Sequence, residues 1–321
     1  MRGGFYGRWS HVKRGELSLV SQAYTKRSRA LVRRETTAAY LFLLPSLLFF
    51  VVFVICPMII CIYTSFFHST MGKNTVDTFI GFDNYIRLFQ DEIFIRALKN
   101  TFIIVIVSVP TVCAFSLWIA SVIYDLKGAA CSAFRCIFYL PVVTGSVAVT
   151  VVWKWMYNNY YGIFNYIGTK TGIIDQNINW LGDTRFALWC IILILFTTSV
   201  GQPIVLYVSA LGNVDQSLVE AAQVDGATRL QLFWKIKWPQ IMPTTLYILV
   251  ITTINSFQCF ALIQLLTSGG PQHSTDTVMY YIYYTAFKLY DYGYGNAMGV
   301  ILAIVIAIMS ALQFKLAKSN N

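Results

Sequence analysis

The segment "EAAQVDGATRLQLFWKIKWPQIMP", Glu220–Pro243, lies between two long apolar stretches. It mixes acids, bases and amides more densely than the rest of the C-terminal half. Ser217 and Thr228 are each followed three residues later by Glu or Gln, and this spacing predicts a capping box at the start of a short helix. Gly226 is suited to the left-handed conformation that ends many helices, so we expect it to separate the two helices.

The same segment contains two prolines, Pro239 and Pro243, which are expected to end the second helix and lead the chain into the next apolar stretch. Each helix cap typically stabilises by about 1 kcal/mol. The sequence therefore predicts that residues 212–243 form a rigid helix–turn–helix and not a flexible tether. A rigid connector can transmit a displacement to the helices that flank it.

Hydrophobic residues make up 57% of the 321 residues and charged residues only 12%, whereas a soluble domain carries about 25% charged residues. A helix of about 20 mostly apolar residues crosses a membrane. Six stretches are long enough: 38–66, 99–123, 134–157, 186–211, 244–267 and 296–314. The predicted fold class is an all-α polytopic membrane protein, with one six-helix domain over 38–316, a basic tail over 1–37 and a short C-terminus over 317–321.

The net charge of +10 is concentrated near the N-terminus, where nine basic residues face two acidic ones: Arg2, Arg8, Lys13, Arg14, Lys26, Arg27, Arg29, Arg33 and Arg34. Such a tail is typical of cytoplasmic retention, which we favour over nucleic-acid binding. Six spans then place both termini and residues 212–243 on the cytoplasmic side of a cell membrane. Residues 80–100 are predicted to form an amphipathic helix on the outer surface, and 158–185 is predicted to be an outer loop.

Motifs for catalysis or metal binding are not found in the sequence. The seven cysteines form no CxxC pair, and neither a disulfide framework nor a zinc site is indicated. A phosphate-binding loop would need the spacing GxxxxGK[ST], which "GIFNYIGTKT" at 162–171 does not have. We expect a chain that is not an enzyme and holds no metal or cofactor.

The pattern E-A-A-x-x-D-G-A followed by F-x-x-I-x-x-P-x-x-x-P resembles the coupling-loop motif of permease subunits of binding-protein-dependent ABC importers. It is formed here by Glu220, Ala221, Ala222, Asp225, Gly226, Ala227, Phe233, Ile236, Pro239 and Pro243. The segments "GFDNYIRLFQDEIFIRALKNT", "FRCIFYLP", "LTSGGPQHSTDT" and "YGYGNAMG" resemble the maltose-transporter-type carbohydrate branch, in the same order. The resemblance covers about residues 38–316 and implies the type I importer architecture.

In that family the coupling loop docks in a groove of the ATP-binding subunit. The resemblance therefore implies docking by Glu220, Ala221, Ala222, Asp225, Gly226 and Ala227. It also implies a second homologous permease, a dimer of ATP-binding subunits, an extracytoplasmic solute-binding protein and a carbohydrate substrate. Within 212–243, which we name the docking loop, Glu220 has a second interpretation as a member of the Ser217 capping box.

The fifth span contains three amides that are candidates for the solute pathway: Asn255, Gln258 and Gln264. Neutral donors and acceptors suit a polyhydroxylated solute, but amides in a membrane also bond neighbouring helices, and the sequence does not decide between these roles. Lys154 is interpreted as a lysine that extends to the membrane surface more readily than as a solute contact. The tyrosines at 280, 281, 283 and 284 are interpreted as an interfacial aromatic belt.

Three alternatives remain at this point. The first is an ABC permease for a glycerol phosphodiester or another small solute, which would need basic residues along its pathway. The second is an ion-coupled secondary transporter, but such proteins usually bury Asp, Glu or His in their spans; the six stretches contain none of these residues, and Lys154 is the one charge well inside a span. The third is a membrane scaffold that transports nothing.

Overall fold

The computed structural model describes residues 14–70, 77–126 and 128–319, and the side chains among them from 31 to 316. The chain divides into two compact units, Met1–Ile60 and Cys61–Asn321. Residues 1–13 and 320–321, which belong to the predicted tail and C-terminus, lie outside the described residues, as does Lys127.

The described residues of the first unit, Arg14 to Ile60, are helical throughout, and the last helix of this unit continues to Thr64 in the second. Helix α1 spans Arg14–Phe50, a π-helical segment follows over Val51–Ile55, and α2 spans Cys56–Thr64. The helix therefore begins well inside the predicted basic tail. Its segment Leu31–Thr64 is long and apolar enough to cross a membrane, and none of its most apolar window is buried within the chain.

The helices of the second unit are α3 Asp83–Gln90, α4 Glu92–Tyr124, α5 Ala129–Val143, α6 Ser146–Met156, α7 Ile163–Lys170, α8 Ala187–Ser199, α9 Gly201–Gly212, α10 Gln216–Val224, α11 Arg229–Leu232, α12 Trp238–Phe257, α13 Ala261–Leu266, α14 Val278–Phe287 and α15 Tyr292–Ser319. A π-helical segment, Phe233–Lys237, joins α11 to α12. Two short antiparallel strands, β1 Phe67–His68 and β2 Thr78–Phe79, precede α3.

Helix α4 lies at the centre of this unit and packs against α8, α9, α12 and α14. Four of its residues that are fully buried, Ala97, Ile104, Val112 and Ala120, recur every seven or eight positions, which places them on one face of the helix. Asp91 separates α4 from α3, so the predicted amphipathic helix over 80–100 is divided in two.

The third predicted span, 134–157, is bent. Helices α5 and α6 meet at an angle of 93° across Thr144 and Gly145, where the backbone is extended. Pro141 lies inside α5 and does not end it. Five helices of the described residues are long and apolar enough to span a membrane, and the bent pair brings the number to six. The prediction of an all-α polytopic fold is confirmed.

Pro239 follows a π-helical segment and does not end a helix. The N–H of Trp238, just before it, donates to the carbonyl of Phe233, five residues earlier. This wider turn relieves the clash between the proline ring and the preceding turn. The prediction that Pro239 and Pro243 end the second helix of the docking loop is therefore wrong, because the helical segment runs through both to Leu266 with a break near Gln258. The same arrangement, a π-helical segment followed by a proline within a continuing helix, occurs at Val51–Ile55, just before α2.

Candidate docking loop and solute groove

The first helix of the docking loop, α10, begins with Asp215. The Oδ1 atom of Asp215 accepts hydrogen bonds from the N–H of Ser217 at 2.9 Å and from its hydroxyl at 2.7 Å. These bonds hold the pKa of the Asp215 carboxyl below its usual value. The predicted capping box of Ser217 and Glu220 is wrong, because Asp215 is the N-cap residue and its carboxylate accepts from the backbone N–H of Ser217.

Gly226 ends α10 as the sequence predicts. Its φ angle is +79°, a conformation that costs glycine little. The N–H of Gly226 donates to the carbonyl of Gln223 at 3.1 Å, and the N–H of Ala227 donates to the carbonyl of Ala222 at 2.9 Å. These are the two bonds of a Schellman motif, which fixes the direction of the chain after the helix.

The second helix of the docking loop begins with the predicted capping box. The N–H of Gln231 donates to the hydroxyl of Thr228 at 3.3 Å, and the N–H of Thr228 donates to the Gln231 side chain at 2.9 Å. Because both ends of the turn are capped, the docking loop is a rigid element. It is joined to the end of α4 by Lys237, whose Nζ lies 5.3 Å from the centroid of the Tyr124 ring.

The inward face of the docking loop packs on the core of the second unit. Val219 and Leu232 are buried, and Ala222 and Ala227 are half-buried against the same hydrophobic cluster. Two of the six predicted docking residues therefore face the body of the subunit. Their small side chains allow the loop to approach that body closely.

The outward face combines acidic and large apolar side chains. Of the predicted docking residues, Glu220, Ala221, Asp225 and Gly226 are exposed. Among the described residues, neither acid of this face lies within 4.0 Å of a basic group. The sequence motif missed four exposed apolar neighbours: Leu218, Val224, Leu230 and Trp234, whose exposed fractions are 51%, 88%, 72% and 57%. In the sequence, these four residues could have been found as large apolar residues within a capped and otherwise polar segment.

Two of the three predicted pathway amides, Asn255 and Gln258, line neighbouring clefts. The Gln258 cleft has a volume of about 340 Å³ and lies at the α5–α6 bend, where Thr144, Ser146 and Thr198 also line it. The Asn255 cleft has a volume of about 170 Å³, and its other polar residues are Thr198, Ser199, Gln202 and Thr252. The two clefts share Val142 and Thr198, so they form one groove.

The groove is neutral over this length, because the residues that line the two clefts carry no charged side chain. The third predicted amide, Gln264, lies on α13 and lines neither cleft. Lys154 is exposed in the last turn of α6 and is also outside both clefts. Gln202, Thr198 and Ser199 were missed in the sequence, although Gln202 carries the same signal as Asn255, an amide on an apolar span.

At the other end of α4, polar side chains are paired with one another. Asp91 caps α4, and its Oδ2 accepts hydrogen bonds from the hydroxyls of Tyr281 and Tyr294, each at 2.7 Å. Partial burial opposes ionisation of Asp91, but these bonds and those from backbone N–H groups lower its pKa overall. Arg87 lies over the Tyr294 ring and forms an ion pair with Asp291 at 3.0 Å. We name these five residues the Asp91 network.

The tyrosines at 280 and 281 are buried, so the aromatic-belt interpretation is wrong for them. Tyr280 donates to the carbonyl of Ser268. Nearby, Asp276 is buried and pairs with His273 at 2.6 Å. Burial raises the pKa of the Asp276 carboxyl, and the bond from His273 offsets only part of this effect.

Residues 92–319 match the model of the family described as binding-protein-dependent transport system inner membrane component. This match covers more than half of the chain, and the chain belongs to that family. The resemblance read from the coupling-loop motif is thereby confirmed, and the chain is a multi-pass membrane protein of the permease type.

Similar proteins agree with this assignment. The probable ABC transporter permease protein YesP of Bacillus subtilis is 34% identical over 295 residues, covering 90% of this chain and 93% of its own. The lactose transport system permease protein LacF of Rhizobium radiobacter is 30% identical over 302 residues, covering 93% and 100%. A solved bacterial ABC transporter involved in the import of the acidic polysaccharide alginate matches with a TM-score of 0.75 at 26% identity, covering 91% of this chain and 99% of that chain.

Proposed function

We propose that this chain is the permease subunit of an ATP-driven importer of a carbohydrate, in particular an oligosaccharide. The observation that carries the proposal is the docking loop, a doubly capped element with an unpartnered face of acids and large apolar side chains. Exposed apolar patches of this kind typically mark protein interaction sites. Membership in a binding-protein-dependent transport family supports an ATP-binding subunit as the partner, and the similarity to a lactose permease supports a sugar as the solute.

The geometry supports a direct mechanical link between the docking loop and the groove. The helical segment that begins at Arg229 in the docking loop continues into α12, which carries Asn255. At 1.5 Å per residue, this lever is about 40 Å long. When the ATP-binding subunits close, they would displace the docking loop and move one wall of the groove with it. The free energy comes from the partner, and the chain itself is not an enzyme.

The complete transporter would contain further subunits. A second homologous permease supplies the other half of the pathway, and an extracytoplasmic solute-binding protein delivers the sugar. ATP is bound only by the two ATP-binding subunits. This chain itself then needs no cofactor or metal. The basic residues near the N-terminus support an orientation with both termini in the cytoplasm, and the bacterial relatives support a bacterial cell membrane as the location.

The alternatives fit the groove less well. An anionic glycerol phosphodiester would require a positive charge near Asn255 and Gln258, but the side chains that line these two clefts are neutral. An ion-coupled transporter would require a titratable relay inside the spans, and it would leave the exposed face of the docking loop without a role. A scaffold that transports nothing would need no groove of amides and hydroxyls.

The proposal is tested with the tagged chain purified from its native membrane. Mass spectrometry should find a second permease and an ATP-binding subunit in the sample. In proteoliposomes with the solute-binding protein, ATP hydrolysis should rise several-fold for at least one oligosaccharide from a panel that begins with lactose. If the chain purifies alone or as a homo-oligomer, the proposal is wrong.

A further inference from the structure

A third cleft continues the groove away from Gln258. It has a volume of about 440 Å³ and is lined by Arg135, Cys136, Tyr139, Gln202, Val205 and Leu206. It shares Gln202 and Leu206 with the Asn255 cleft. We name it the Arg135 cleft.

The three clefts follow one another in the same order along each helix that lines them. On α5, the lining residues move from Pro141 and Val142 in the Gln258 cleft back to Arg135 in the third cleft. On the antiparallel segment α8–α9 they move from Leu195 forward to Val205. The order is the same on α5 and on α8–α9. The three clefts therefore form one continuous groove that runs toward the end of α4 where the docking loop lies.

Arg135 is the one charged residue among those that line the three clefts. It lies inside an apolar helix, and the Nε atom of its guanidinium is buried without a hydrogen-bond partner among the described residues. No carboxylate of those residues lies within 4.0 Å of it. A charged group inside a membrane segment is costly, and such residues usually face a pathway or a partner. This Nε–H therefore has no acceptor among the described residues, and an oxygen atom of a molecule bound in the cleft would supply one.

We infer that Arg135, with Tyr139 and Gln202, forms a solute-binding subsite at the end of the groove nearest the docking loop. The inference rests on the proposed function, since it takes the solute to be a sugar. A guanidinium offers five N–H donors in a fixed fork and accepts nothing, so it fits adjacent hydroxyl oxygens or a uronate carboxylate of a sugar. Tyr139 and Gln202 add a hydroxyl and an amide. A sugar that has left Asn255 would meet this subsite before release.

Cys136 provides a native probe of the subsite, because it is exposed and lines the same cleft. In the assembled transporter, the other six cysteines are replaced by alanine, and the rate of Cys136 alkylation by N-ethylmaleimide is measured during ATP-driven turnover. The sugar used is the one from the lactose panel that stimulates ATP hydrolysis, and galacturonate oligosaccharides are tested beside it. At ten times the half-saturating concentration, occupancy of the subsite should slow alkylation about tenfold.

Ile137→Cys in a background without the other cysteines is the matched control. Ile137 is adjacent on α5 and 63% exposed, and it is not among the residues lining the three clefts. A conformational change alone would alter both rates, whereas an occupied subsite slows only Cys136. Equal changes at both positions, or no change at Cys136 while uptake proceeds, would overturn the inference. If no sugar stimulates ATP hydrolysis at all, it is the proposed function that fails.

Arg135→Gln and Arg135→Lys give a second readout. Because a hydrogen bond to a charged group stabilises by about 1.5–3 kcal/mol, Arg135→Gln should raise the KM for uptake about tenfold or more. Arg135→Lys keeps the charge and should restore part of the loss for a uronate sugar but little for a neutral one, which lacks a carboxylate. An unchanged KM in both variants would mean that Arg135 pairs with a lipid or the second permease, and the inference would be wrong.

Discussion

The two ends of α4 differ in how they treat polar and apolar side chains. At one end, the Asp91 network joins α3, α4, α14 and α15 through polar groups that satisfy one another, from the buried Tyr281 and Tyr294 to the exposed Arg87. At the other end, the docking loop leaves acids unpaired and Val224 88% exposed. At the Asp91 end, the polar groups are paired within the chain and require no partner. At the docking-loop end, large apolar side chains are exposed on a rigid element, and burying them against a partner would stabilise a complex.

Among variants at the two ends of α4, the largest effect is expected from Gly226→Pro, which should reduce binding of the ATP-binding subunit. Proline fixes φ near −65° and has no N–H, so it permits neither the +79° angle nor the bond to Gln223. The turn of the docking loop should be lost, and recovery of the ATP-binding subunit with the purified chain should fall at least tenfold. Gly226→Asn is the control, because asparagine tolerates the left-handed region. It should retain the partner to within about twofold of the natural chain.

A smaller effect is expected from Val224→Asp, which changes only the outward face. A valine buried in an interface contributes about 1.5–3 kcal/mol, so affinity for the ATP-binding subunit should fall about tenfold or more. Thermal stability of the isolated chain should stay the same, because the side chain is exposed. Tyr160→Asp, at a residue that is 85% exposed in another loop, is the matched control and should not change the affinity. Equal losses in both variants would contradict a docking face.

Asp91→Asn should weaken the opposite end without affecting docking. Tyr281 and Tyr294 would lose an ionised acceptor, and the melting temperature should fall by a few degrees. Because the pKa of Asp91 is lowered in the fold, its contribution is present above its ordinary pKa and is lost as the pH falls through the folded value. The difference between Asp91→Asn and the natural chain should therefore shrink below about pH 4.

Asp276→Asn sharpens this prediction, since the pKa of Asp276 is raised. A carboxyl with a raised folded pKa is disfavoured as the anion, so the natural chain gains stability as the pH falls toward that pKa. At neutral pH the neutral amide should cost less stability than Asp91→Asn does. A larger loss of stability in Asp276→Asn than in Asp91→Asn would contradict this prediction, since it would mean that the Asp276 carboxylate stabilises the fold more than the Asp91 carboxylate does.

The smallest effect is expected from Thr228→Ala, which removes one side of a single capping box. The loss should be about 1 kcal/mol and local to the start of α11. Hydrogen exchange at the amide of Gln231 should accelerate about fivefold in Thr228→Ala, and Thr228→Ser should restore protection. If Thr228→Ala instead abolishes binding of the partner, the threonine itself contacts the partner.

The docking loop and the spans could be predicted from the sequence for different reasons. Long apolar stretches identify spans directly, and Gly226 and Thr228 have local roles that depend on a few neighbouring residues. The cap of α10 was misassigned because Asp215 and Ser217 are both good capping residues, and only their side-chain geometry decides between them. The continuation of the helix through Pro239 depends on a π-turn that the proline alone does not reveal.

The groove was harder to predict, because it arises from tertiary packing. Thr144 and Gly145 give a 93° bend in a stretch that is apolar on both sides, so the bend does not appear in composition. Asn255 and Gln258 could be found as amides on an apolar span. Gln202 lines the same cleft as Asn255 only because α9 packs beside α12. Arg135 appears in the sequence as one more basic residue near a span boundary.

The most direct test of the docking loop is a crosslink from Val224→Cys in the assembled transporter. The cysteine is coupled to a short photoactivated crosslinker, and the products are identified by mass spectrometry, with Tyr160→Cys treated in the same way. We predict that Val224→Cys forms an adduct with the ATP-binding subunit and that Tyr160→Cys does not. If Val224→Cys is labelled by the reagent but crosslinks to no ATP-binding subunit, the docking loop does not contact the ATPase there and the account of energy transfer is wrong.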